Sequence, residues 1–191
     1  LVDEEGRTIA HSFRERLHIP IPPREKQFYT LAFINFVTGC TCLFPRGFVD
    51  KILPIPIEAL SHDWWIGIRA TQFGGIKYLR ESFVQHRQHQ TNAIGVEELW
   101  KITGKVRYLL SKERRQVFEK ERTRIQYYLD HGVYADEQQR SYLQELLRHY
   151  ESILTTRIHL EAFRIAYKYR NEIFHDLNPL AKYSYILGRL I

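Results

Sequence analysis

From Val96 to Asn178 the chain contains no proline, and its apolar residues return at helical spacing. Proline removes a backbone donor and clashes with the preceding turn, so a long stretch without it leaves helices free to run. Leu99, Ile102, Val106, Leu109 and Leu110 form one apolar stripe, and Leu143, Leu146, Leu147, Tyr150 and Leu154 form another. His131-Gly132 interrupts the segment between them. Asp136 followed by Gln139 is a capping-box signature ahead of the second stripe. Residues 97–177 are therefore expected to be two or three long helices in an antiparallel hairpin. Pro179 ends them, and Leu180 to Ile191 reads as a short amphipathic tail. With Lys182 and Arg189, that tail suits either packing on the body or an anionic surface.

The first half has a different texture. Val2 to Ile9 offers a turn at Glu5-Gly6 between two short extended pieces. His18-Ile19-Pro20-Ile21-Pro22-Pro23 cannot be helical, because each proline also biases its predecessor away from the α region. Gln27 to Phe33 fits a short helix. Phe36 to Phe44, apolar and β-branched with Gly39 inside it, reads as a buried strand. Pro45 to Leu53 fits a short helix closed by Pro54. Ser61 stands as N-cap of a helix running to Phe73, with Asp63 in the first turn, where the dipole favours an anion. Gly74-Gly75 stops that helix, and Ile76 to Leu79 reads as a short strand.

Composition narrows the classes. A chain of 191 residues buries roughly 70% of its unfolded surface, and 44% hydrophobic against 26% charged residues is ordinary globular usage, so disorder is excluded for most of it. The formal net charge is +6, but acids interleave the bases, as in Lys112-Glu113-Arg114-Arg115 and Glu119-Lys120-Glu121-Arg122. That pattern suits solvated helix faces first and an anionic membrane surface second, and speaks against nucleic acid. Cys40 and Cys42 stand two apart, a strained spacing for a disulfide and too few ligands for zinc, so both are expected as small buried apolar residues in a reducing compartment. No apolar run is long enough to span a bilayer, and no signal peptide is present. A start at Leu1 with Met 0 is expected of a piece of a longer protein.

The chemistry-bearing residues fall in one ordered series: Thr38-Gly39-Cys40-Thr41, His62-Asp63-Trp64-Trp65, then His86-Arg87-Gln88-His89-Gln90-Thr91-Asn92 with Gly95 after it. A carboxylate at a helix start beside two indoles suits proton removal from a sugar hydroxyl. The plain alternative is a capped helix start with two core aromatics. The last run equally suits a solvated basic turn, and Gly39 equally suits tight packing.

Over residues 1 to 96 this order resembles the acceptor-side half of a family 2 glycosyltransferase of the bacterial rhamnosyltransferase-like kind. The resemblance implies an α/β fold, with a partial GT-A, Rossmann-like sheet in residues 1–96 and an α-helical extension in 97–191. It implies inverting transfer of a sugar from a nucleotide-sugar donor to a saccharide or lipid-linked hydroxyl in cell-surface polysaccharide or glycolipid synthesis. In it Asp63 is the base, and Thr38, Gly39, His62, Trp64, Trp65 and Arg87 bind substrate. His89 is a ligand of Mn²⁺ or Mg²⁺. It departs from the family at His86, where relatives carry Tyr, and in having no Asp-x-Asp or nucleotide-binding half, so this portion alone is expected to be inactive. The implied setting is cytoplasmic, peripheral at the inner face of the membrane, with homo-oligomers through the helices. The alternative expectation is a non-catalytic helical interaction or dimerisation module.

Overall fold

The structure, a computed structural model, describes residues 1–12, 21–88, 112–155 and 160–173. The described residues form seven α-helices joined by turns and irregular segments. These are α1 (Gln27–Phe33), α2 (Val49–Ile52), α3 (His62–Gln72), α4 (Lys112–Asp130), α5 (Glu137–Thr155), α6 (Leu160–Lys168) and α7 (Arg170–Ile173). Short 3₁₀ turns precede α1, α2 and α3.

No strand occurs among the described residues, and the expected α/β fold with a partial GT-A sheet is overturned. Only isolated bridges occur there, Val2 to Thr8 and Val2 to Arg87. The apolar run Phe36–Phe44 folds instead around a 3₁₀ turn at Gly39–Thr41, leaving Leu43 fully exposed. The physical reason lies in where its backbone donors go. The Val37 N–H donates to Asn35 Oδ1 (2.9 Å), the Gly39 N–H to Asp63 Oδ2 (3.2 Å) and the Thr41 N–H to the Thr38 carbonyl (3.0 Å). Side chains and a local turn satisfy the groups a sheet ladder would have taken. Ile76 to Leu79 is likewise no strand; Gln27 instead holds both polar groups of the Ile76 backbone.

The helical expectations for α1, α3 and the α4–α5 hairpin correspond to elements of the structure, although the stripe Leu99–Leu110 lies outside the described residues. Gly132, at φ +63°, turns the chain after α4, and the Val133 N–H reaches back to the Tyr128 carbonyl. Asp136 Oδ1 accepts the Gln139 N–H at 2.8 Å, while Gln139 Oε1 accepts the N–H of Ala135. This is a capping box displaced by one residue on its return bond.

The short helix α1 is the centre. It packs on α3, α5 and α7, while α4, α5 and α6 lean on one another in order. Six of its seven residues are buried, including Gln27 and Thr30. Thr30 Oγ1 donates to the Glu172 carbonyl at 3.0 Å. The C-terminal carbonyls of a helix have no partner of their own, and here distant elements provide them. Trp64 Nε1 of α3 donates to the Leu31 carbonyl and Arg124 Nη2 of α4 to the Ala32 carbonyl (2.9 Å), while the Tyr142 hydroxyl of α5 adds a second donor (2.9 Å) to the Tyr29 carbonyl, which the helix itself already serves. A single hydrophobic cluster runs from Phe28, Leu31 and Trp65 to Ile125, Leu143 and Ala162, across the expected boundary at residues 96 and 97.

Candidate functional site

Asp63 stands in the first turn of α3, and its carboxylate gathers four donors. Oδ1 accepts from Ser61 Oγ (2.6 Å), the Trp64 N–H (2.8 Å) and Asn35 Nδ2 (3.1 Å). Oδ2 accepts the Gly39 N–H at 3.2 Å. Ser61 occupies the N-cap position, but its hydroxyl donates to Asp63 instead of accepting a helix N–H. Three segments thus meet on one carboxylate: the exit of α1, the 3₁₀ turn and the start of α3.

His62 is exposed and lies against the turn. A Cβ placed on Gly39 would fall within 2.4 Å of His62 Nε2, so glycine is what lets the imidazole sit there. The Thr38 carbonyl accepts from Thr41 Oγ1 (2.8 Å) and Cys42 Sγ (3.3 Å). Burial pushes the Cys42 thiol up, and the Asp63 carboxylate and Cys40 add to this. The expectation of two buried cysteines is not met: Cys40 is exposed and Cys42 only half-buried, and both thiols are free, because the chain turns there instead of entering a sheet. Thr38, Gly39, His62 and Asp63 therefore share one half-buried surface.

The two indoles are used differently from a stacking platform. Trp65 is buried, with Nε1 on the Ile52 carbonyl (2.7 Å) and its ring against Tyr127 and Tyr128. The Trp64 ring carries the Arg124 guanidinium at 4.0 Å from its centroid. Arg124 is fully buried and also contacts Glu121 Oε2 at 2.5 Å. Burial works against its charge, and Glu121, Tyr128 and Tyr150 more than reverse this, so its pKa is raised. Arg87 lies elsewhere, exposed, where its segment pairs with Val2: the Val2 N–H reaches the His86 carbonyl (3.0 Å) and the Gln88 N–H reaches the Val2 carbonyl (2.8 Å). His89 lies outside the described residues. Among the described residues no three His, Cys, Asp or Glu side chains form a metal-ligating group.

Sequence reasoning missed Asn35 and Arg124. Asn35 two residues before Val37 is an Asx-turn signal, but nothing in the sequence pairs it with Asp63. Arg124 hid in a charged run that reads as a solvated helix face.

No protein-family model, curated protein or solved structure matches the chain. With the described residues helical and without strands, the resemblance to family 2 glycosyltransferases is not upheld. What the site defines is a helical assembly with one carboxylate tied to three segments. Among the described residues no helix is long and apolar enough to cross a membrane.

Proposed function

We propose that Asp63 is the base of a group-transfer site that activates a hydroxyl, with a sugar passed to that hydroxyl from a nucleotide-sugar donor. The observation that carries the reading is the asymmetry of the carboxylate. Oδ1 takes three donors and is fixed, whereas Oδ2 takes only the Gly39 N–H and keeps a lone pair for another proton donor. A hydroxyl bonded to Oδ2 gives up its proton there as its oxygen attacks the anomeric carbon, and the bond from that carbon to the diphosphate breaks. The neighbouring imidazole of His62 supplies a polar contact for a hydroxylated ligand. The proton-accepting role rests on the geometry; the sugar and its nucleotide donor rest on the sequence expectation.

A second reading is favoured by the same four bonds. Donors drawn from three segments are what a purely structural tie would gather, with Asp63 holding the turn onto α3. The docking-hairpin alternative draws less support, because Leu143, Leu146 and Tyr150 of its stripe are buried within the chain.

The test is amide NMR, following the Gly39 and Trp64 N–H signals during titration with nucleotide sugars and saccharides, with nucleoside diphosphate release measured alongside. Saturable shifts at both amides, and release that collapses at least about a hundred-fold in Asp63→Asn while the fold persists, support the base. Unmoved amides and equal release leave Asp63 as a tie.

A further inference from the structure

The segment from Lys77 to Arg87 is exposed at every one of its eleven positions. Four large apolar side chains lie on it: Tyr78 (44% exposed), Leu79 (54%), Phe83 (77%) and Val84 (46%). Scattered exposed apolar residues are ordinary, but so many on one short solvent-facing strap are a feature of contact surfaces. The strap is pinned rather than trailing. Gln27 holds the backbone of Ile76, Ser82 Oγ donates to the His11 carbonyl (3.3 Å), and the His86–Gln88 backbone pairs with Val2. Between these pins the apolar side chains face solvent on a fixed frame.

Charge selects the occupant. Lys77, Arg80 and Arg87 outnumber the single acid Glu81, in a chain of net charge +6. A second copy would bring an equally basic strap against this one. Tyr78 and Phe83 carry rings, but Leu79 and Val84, which lie beside them, have no ring face on which a nucleic-acid base would stack. Apolar side chains with flanking cations match an anionic bilayer surface, where the former enter the headgroup boundary and the latter meet lipid phosphates and carboxylates.

We propose that residues 77–87 form a strap that docks this protein on anionic membrane surfaces, with Leu79 and Phe83 inserted and Lys77 and Arg80 on the headgroups. This surface is separate from Asp63 and stands whether or not Asp63 is a base.

The experiment is co-sedimentation of the whole chain with phosphatidylcholine vesicles, with and without phosphatidylserine, at low and high salt. Binding to the anionic vesicles alone, weakened by salt, is the expected result. Lys77→Gln and Arg80→Gln each lower partition about five-fold, and Leu79→Ser with Phe83→Ser lowers it about ten-fold or more. Circular dichroism checks that these exposed substitutions leave the fold intact. Equal binding to neutral vesicles, no binding to either, or full binding by the variants overturns the proposal. So does capture by single-stranded oligonucleotide, or self-association lost in Phe83→Ser, in place of vesicle binding.

Discussion

Replacing Arg124 by Met removes the one charge that closes the end of α1. In the structure this side chain is fully buried, donates to the Ala32 carbonyl at 2.9 Å and pairs with Glu121, whose side chain is 12% exposed. Arg124→Met keeps most of the volume but strands two groups. A charge-assisted bond to the carbonyl is worth about 1.5–3 kcal/mol. Breaking a buried ion pair from one side costs about 3–5 kcal/mol, because the other charge stays behind. The two figures overlap, since both include desolvation of what remains, so about 4 kcal/mol is the combined expectation. For a chain of this size that lowers Tm by roughly 10 °C. Urea unfolding of the wild type, Arg124→Met, Glu121→Leu and the double variant is the assay. The double variant should recover part of the loss, because no carboxylate is then stranded. A cost for Arg124→Met under about 1 kcal/mol, or a double variant no better than the single one, would refute the account of α1.

Two further outcomes concern tyrosines and thiols. Burial, then Tyr150 and Tyr169, holds the Tyr142 hydroxyl well above the ordinary tyrosine value of 10.0, and Tyr128 is raised too, first by burial. The folded state thus keeps protons that the unfolded chain releases, so stability is intact below 10.0 and falls as pH rises beyond it. Tyr142→Phe should cost about 1 kcal/mol at neutral pH, through its bond to the Tyr29 carbonyl, yet flatten the alkaline fall of Tm; an unchanged slope counts against it. For the thiols, a disulfide reagent at neutral pH should modify exposed Cys40 quickly and Cys42 slowly, since the raised thiol pKa of Cys42 leaves little thiolate. Two equal rates would contradict the placement of the turn.

The sequence carried the helices well because their signals are local. Gly132, Asp136 with Gln139, and the stripe through Leu143 and Tyr150 act within a turn or two of where they stand. The lack of a sheet among the described residues was not legible, for the opposite reason. An apolar run such as Phe36–Phe44 becomes a strand only if a neighbouring strand pairs with it, and periodicity is silent on that. Here Asn35 and Asp63 took its donors instead. Asp63 was legible as a first-turn anion, but the bond from Asn35 spans 28 positions and had no local signal. The places of Trp64 and Trp65 were not legible because an indole reads alike in a pocket and in a core; the structure buries Trp65 and ties the two Nε1 atoms to the carbonyls of Leu31 and Ile52.

The closure of α1 also sets an order of events during synthesis. Its Ala32 carbonyl waits for Arg124, 92 positions downstream. While the ribosome extends the chain through that interval, the carbonyl end stays open. Phe28, Leu31 and Phe33, destined for the core, have no hairpin to cover them. Those core side chains therefore stay uncovered until the α4–α5 hairpin has been made.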